Sequence, residues 1–325
     1  MDHVHRTAVD RPGYSRASAS LPVSAAPRRV RLPDRVEWPT VAVAAAIYLS
    51  IATALAVVGA QLVPWWAATP VLAWCVAWQA SLQHEVIHGH PTPHTGLNRL
   101  IAGPPLLLVL PFDRYRDSHL AHHIDERLTD PLEDPESWYV TAAAWRRAGP
   151  LERRLRLAMN TLAGRVVLGP LWVVGLSVLA DSCDLLASRR WPELAGHALQ
   201  VFGIAAVLVA VGVPVWGYLI LVVWPAMGLL LVRSYAEHRP SPNPAERSVI
   251  VEAGGALDLL FLSNNLHALH HERPGLPWYA LRRVFRDGRN RILDRNGGYR
   301  FSSYPEMVSR YLFSPRDHPI HPDER

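Results

Sequence analysis

Between Thr40 and Gln83 the chain carries two almost unbroken apolar runs, Thr40 to about Ala60 and about Pro64 to Gln83, and only a few residues part them. Each run is roughly 20 residues, the length that crosses a bilayer as a helix. A buried helix of a soluble protein would need a polar stripe along one side, and neither run has one. The natural form is a tight membrane hairpin. A third apolar block, about Ala198 to Val232, is too long for one crossing and is broken by Gly212, Pro214 and Gly217. It reads as a second hairpin. The expected fold is all-α: a polytopic membrane protein with four transmembrane helices in two hairpins.

Charge then orients the hairpins. The chain has no lysine, so its net charge of +5 rests on 33 arginines, all outside the four expected spans. The expected tips, near Gln61 and Val215, carry none, and Trp65, Trp66 and Trp216 flank them as an aromatic belt would. The positive-inside rule places the arginine-bearing segments and both termini in the cytosol. Residues 1–38, rich in Arg, Pro, Ser and Ala, read as a disordered cytosolic tail without a secretory apolar core. Residues 39–312 form the membrane domain with its cap, and 313–325 a C-terminal tail. Cys75 and Cys183 stand far apart and suggest neither a disulfide framework nor a cysteine-based metal site. Val166–Ala180 is apolar but only about 15 residues long, between Arg165 and Arg189, and is expected to be interfacial or re-entrant rather than a crossing. The same holds for Leu100–Pro111, broken by Pro104 and Pro105.

Eight of the 16 histidines gather in three clusters: His84/His88, His119/His122/His123 and His267/His270/His271. Imidazole is the commonest transition-metal ligand. Spacings of three and four place rings on one face of a helix. Three such faces supply more nitrogens than one ion accepts, so two ions in an all-histidine site is the reading. His84-Glu85-Val86-Ile87-His88 is also H-E-x-x-H, the zinc metalloprotease signature with the glutamate as general base. That alternative needs only one more ligand and leaves both H-x-x-H-H clusters unexplained. At this histidine content two such clusters arise by chance roughly once in a thousand sequences.

The order H-x3-H after the second span, H-x2-H-H in the next loop and H-x2-H-H after the fourth span resembles the three histidine boxes of the integral-membrane fatty acid desaturase and hydroxylase superfamily. The likeness runs from about Pro39 to Glu272, and the stretch from His119 to Pro135 is most similar to bacterial acyl desaturases. What the resemblance implies is a cytosolic helical cap holding two non-haem irons that use O2 and two electrons to attack an unactivated C–H bond. It carries His84, His88, His119, His122, His123, His267, His270 and His271 over as ligands, with His238 of Arg233-Ser-Tyr-Ala-Glu-His238 as a ninth. Box three begins with His267 rather than Gln, unlike front-end desaturases, and no His-Pro-Gly-Gly segment of a fused cytochrome b5 domain occurs.

Each ligand needs an acceptor for its second ring nitrogen. Glu85, Asp125, Glu237, Asn265 and Glu272 are the candidates, with Asp117, Glu126 and Asp130 nearby. Asn264 and Asn265 are alternatively holders of a metal-bound water or helix caps, and the acidic run Asp125–Glu136 is alternatively a solvated loop. His3, His5, His318 and His321 fall in the tails, His197 starts a span, and His90 and His94 lie off the face of box one. No nucleotide-binding fingerprint occurs, so electrons are expected from a ferredoxin-like or other carrier protein, with Arg282, Arg283, Arg286, Arg289, Arg291 and Arg295 as its docking face; anionic lipid is the competing use of that cluster, and nucleic acid is not expected as a partner. The expected function is oxygen-dependent desaturation of an acyl lipid or acyl thioester in a bacterial cytoplasmic membrane. Hydroxylation of a fatty acid, alkane or other lipid on the same scaffold is the alternative, and an intramembrane zinc protease a distant one.

Overall fold

The computed structural model describes residues 30–124, 127–187 and 189–324; most of the expected N-terminal tail, with His3 and His5, lies outside them. Helix α1 (Trp38–Gly59) begins with Pro39 in its first turn, where a missing N–H costs nothing. A 3-10 turn (Trp65–Ala68) leads into α2 (Thr69–Ile87). Short α3 (Thr95–Ala102) and α4 (Phe112–His122) follow, then α5 (Ala142–Arg147), α6 (Pro150–Met159), α7 (Leu162–Leu186) and α8 (Trp191–Ala210). Helix α9 spans Val215–Ser234 and turns π-helical over Leu219–Val223. Pro225 stands just beyond that wide turn; a proline has no N–H for the regular ladder, and a π turn re-routes the bonds. The cap continues as α10 (Ala256–Leu260), α11 (His267–Glu272), α12 (Trp278–Arg295) and α13 (Tyr304–Tyr311). A two-residue parallel pair, β1 (Ile250–Val251) with β2 (Arg300–Phe301), is a small addition to the all-helical plan.

Four helices among the described residues are long and apolar enough to cross a membrane: α1, α7, α8 and α9. This is a membrane protein, but the four differ from those expected. Helix α7 is 25 residues long rather than about 15, and α2 drops out because its last turns carry Gln79, Gln83, His84 and Glu85. The contacts at each end decide which helices return to which side. The Glu37 N–H before α1 bonds the carbonyl of Pro91 beyond α2, so α1 starts where α2 ends. At the far end Trp65 meets Trp216 edge to face at 5.8 Å, and Gly59 faces Val211. The tips of the two hairpins α1–α2 and α8–α9 therefore lie together, opposite the cap.

Helix α7 packs against the C-terminal half of α9, where Val166 meets Gly228 and Leu231 meets Gly169. Near its start Arg165 bonds the Met159 carbonyl and lies over the Trp138 ring. At mid-length Trp172 carries the Arg156 guanidinium. Near its end Asp181 and Asp184 pair with Arg114 of α4, and Arg190 beyond it pairs with Asp117. Cap groups thus meet α7 near its start, at mid-length and near its end.

Residues 101–108 dip between the hairpins. In hydrocarbon, irregular backbone persists only where protein satisfies it or where it lines a cavity. Here all four helices of the two hairpins donate to it: Tyr48 of α1 to Ile101 O, Gln79 of α2 to Ala102 O and Pro104 O, His197 of α8 to Leu108 O, and Tyr218 of α9 to Leu106 O. Tyr48, Gln79, His197 and Tyr218 thus serve this re-entrant segment.

Candidate metal centre

Box one sits on the last turn of α2, His84 within the helix and His88 as its C-cap. Box two ends α4, with His123 capping it, and box three occupies α11. His238 follows α9 and pairs through its backbone with Ser248. Box three is pinned from behind. Val251 N–H bonds Asn265 O, Asn265 Nδ2 bonds Val251 O, and Ala268 N–H bonds Val249 O. His238 is pinned by Arg316, whose guanidinium bonds the carbonyls of Tyr235 and His238. Residues 313–324 are thus not the loose tail expected. His321 also meets Thr129 Oγ1 and its N–H bonds Val140 O, contacts almost 200 positions distant that no local pattern reveals.

The nine histidines divide into two groups able to hold a metal ion. His84, His88, His119, His123 and His270 form the first; His122, His238, His267 and His271 form the second. The ligand atoms of each group lie within 4.8 Å of one another. All but His238 are buried. The rings of His123 and His271 stack at 4.3 Å and join the groups. Each H-x-x-H-H box is shared: its first and last histidines serve one group, its middle histidine the other.

The nitrogens fit an ion. The Nε2 atoms of His88/His119, His119/His123 and His123/His270 approach to 3.1, 3.0 and 3.1 Å. Those of His122/His238, His238/His267 and His267/His271 approach to 2.9, 3.0 and 3.1 Å. With metal–nitrogen bonds of about 2.1 Å, ligands at right angles stand about 3.0 Å apart and tetrahedral ones about 3.4 Å. The spacing fits right-angled coordination, and five donors exceed what tetrahedral zinc takes. His84 Nε2 is buried without a hydrogen-bond partner and belongs to the first group as a further donor.

Burial pushes His88, His123, His238, His267 and His270 well below the usual imidazole range, reinforced by neighbouring histidines. They are held neutral, the form that ligates. His122 is the exception. Burial opposes its charge, but Asp134 and Glu136 outweigh burial and push it up to about 9. A divalent cation bound there would take the place of that proton.

The acceptors behind the ligands are only partly those expected. His122 Nδ1 meets Asp134 at 2.8 Å, His119 Nδ1 meets Glu136 at 3.2 Å, and His238 Nδ1 meets Ser248 Oγ at 3.2 Å. His267 Nδ1 bonds Asn264 Oδ1 at 3.0 Å and lies 3.6 Å from Glu237. Glu237 is therefore in place, and it also pairs with Arg233. Glu85 instead accepts the Trp278 N–H, Asn265 braces Val251, and Glu272 pairs with Arg295. Asp125 and Glu126 lie outside the described residues. The signal for Asp134 and Glu136 was the acidic run, which is half a scaffold: Asp134 is buried and its carboxylate also accepts the N–H groups of Thr129 and Glu136. His90 stays out of both groups, bonded to Glu37.

Two adjacent all-histidine groups able to hold metal, on a cap over two membrane hairpins, define a polytopic membrane protein with a candidate metal centre. The sequence matches the family model for fatty acid desaturases over residues 60–303, three quarters of the chain. The chain belongs to the fatty acid desaturase family, within the desaturase and hydroxylase superfamily. No curated protein matches it significantly.

Proposed function

We propose that the protein is an oxygen-dependent di-iron desaturase that introduces a double bond into an acyl chain. The nine nitrogen donors in two adjacent groups, with carboxylates confined to the layer behind them, carry this reading. Imidazole suits iron among several metals, and the family selects iron over the others. With both irons bound, the site supplies activation of O2 for removal of two hydrogens. The balance is one –CH2–CH2– unit, O2, two electrons and two protons giving –CH=CH– and two waters. The chain's own part is to hold the nine rings in place, four of them through Nδ1 partners. Asp134, Glu136, Asn264 and Ser248 receive their Nδ1 protons, and Arg316 and the β1–β2 pair fix the backbone behind them. The cap is cytosolic on the arginine distribution, in what we read as a bacterial cytoplasmic membrane.

Electrons reach the site from a separate carrier. Half of the proposed arginine face is already engaged: Arg282 pairs with Asp258, Arg289 with Glu252 and Arg295 with Glu272. Arg283, Arg286 and Arg291 are exposed and are the better choice for an acidic ferredoxin-like carrier. The decisive experiment is lipid analysis of cells expressing the protein with a ferredoxin and its reductase. A new unsaturated acyl species, absent with His270→Ala, is expected. A hydroxylated lipid instead would assign the reaction to the sister class, and about one zinc per chain in place of two irons would return the protease.

A further inference from the structure

A cleft of about 910 Å³ lies on the membrane side of the cap, at the upper end of cavities that hold small ligands (roughly 300–1,000 Å³). One wall is α1 and α2, with Ile51, Leu55, Leu72 and Val76. The other is α8, from Pro192 to Leu208, and the re-entrant segment forms the back. Helices α1 and α8 approach at their tips, where Gly59 faces Val211, and the cleft runs between them from Leu55 and Leu208 near the tips to Pro192 and Glu193 at the cap end. Its α8 wall is hollowed at Gly196 and Gly203, where an added Cβ would meet nothing within 4 Å.

The occupant follows from surroundings and lining. Helix α8 is bare on its outer side: Leu199 and Phe202 are each 72% exposed, so hydrocarbon chains of the bilayer stand against it. The inner walls are aliphatic, and polar groups collect at the cap end, where Arg99, Asp113, Glu193, His197 and Gln200 line the cleft. Arg99 is tied to Asp113 yet its side chain is 55% exposed. His197 bonds Leu108 O through Nε2, which leaves Nδ1, buried and without a partner. An apolar groove with a hydrogen-bonding rim at membrane-interface depth matches one chain of a lipid with its polar head at the rim. No box histidine lines the cleft, so it is not the reacting position. Its lining includes Phe112 and Asp113, and the helix they begin carries His119. Seven residues of helix separate Phe112 from His119, about 10 Å.

We propose that this cleft is a lateral port that binds an acyl chain drawn from the bilayer and holds it beside the metal centre. The proposal rests on the acyl-chain reading above and extends it, because it makes the bilayer, not the cytosol, the source of the chain. The test uses the full-length, iron-loaded protein in phosphatidylcholine–phosphatidylglycerol nanodiscs containing a phospholipid with a diazirine near its acyl terminus, with labelled peptides mapped by mass spectrometry. Ile51, Leu55 and residues 203–208 are expected to label above Leu199 and Phe202. Gly203→Trp is expected to lower cleft labelling roughly tenfold, about 1.4 kcal/mol, with unchanged iron content and melting temperature. Gly196→Trp serves the same purpose should the first variant fail to fold. Cleft labelling no higher than on the bare face of α8, or unaffected by either tryptophan, overturns the port. Wild-type turnover is scored separately. Labelling without any acyl oxidation keeps the port and sinks the desaturase; oxidation with no labelling in the cleft does the reverse.

Discussion

Asp134→Ala separates the two metal groups energetically. The carboxylate is buried and accepts three bonds, from His122 Nδ1, Thr129 N–H and Glu136 N–H, at 2.8, 2.8 and 2.9 Å. Removal leaves the buried Thr129 N–H without that acceptor, and a buried unsatisfied donor costs about 1–3 kcal/mol. Glu136 is only half-buried, so its N–H turns to water and adds little. The larger consequence is for metal. A lost partner behind a ligating histidine typically lowers affinity about 10- to 100-fold. His122 belongs to the four-histidine group alone, so the loss falls on one ion. Dialysis against chelators of graded strength, with iron counted per chain and melting followed in parallel, reads both effects. One iron is expected to leave at roughly 10- to 100-fold weaker chelation than in the wild type, while the second stays. Glu272→Gln, whose partners are Arg273 and Arg295, is expected to keep both. Two equally retained irons in Asp134→Ala, or two lost together, would refute the division of ligands.

Three further outcomes are expected. His238→Ala leaves three ligands in its group and five in the other, so iron content falls from about two per chain toward one, measured on the purified protein. Gly217→Leu forces a Cβ to within 2.5 Å of the Trp65 ring; overpacking of this kind costs about 1–3 kcal/mol and appears as a lower melting temperature in detergent, whereas Gly175→Ala, with open space around it, does not. With Cys75 and Cys183 replaced, single cysteines at Arg147 and Arg189 label with a membrane-impermeant maleimide from one face and a cysteine at Gln61 from the other. Arg147 and Arg189 labelling from opposite faces would mean that α7 crosses.

The apolar blocks, the hairpin pairing and the clustering of the eight box histidines were readable because they depend on period and local composition: hydropathy over about 20 residues and imidazoles on one helical face; His238 came only with the family resemblance. Where the sequence misled, the cause was tertiary. Helix α7 outgrew its apolar stretch because Asp181 and Asp184, which break the hydropathy, are neutralised by Arg114 some 70 positions earlier. Glu85 and Glu272 stand next to ligands in sequence yet turn away, since adjacent residues on a helix point about 100° apart. The useful carboxylates come instead from a loop wrapped behind box two. Residues 313–324 resembled a tail because their partners, Tyr139, Val140, Tyr235 and His238, are scattered over a hundred positions.

The same angular rule explains why the boxes differ. On a helix, residues four apart lie about 40° from one another and can share an ion, whereas neighbours diverge by about 100°. H-x3-H is therefore a one-ion motif, and His84 and His88 both serve the first group. In H-x-x-H-H the outer pair serves one ion and the middle ring must look elsewhere. One such box alone would leave that ring facing nothing. Two, placed so that His122 joins the outer pair His267/His271 and His270 joins His119/His123, satisfy each other and bring two groups able to hold an ion side by side. The duplication of H-x-x-H-H is thus the feature behind the two-ion reading. His84, His88 and His238 only complete the coordination: two more nitrogens on the first ion, one on the second.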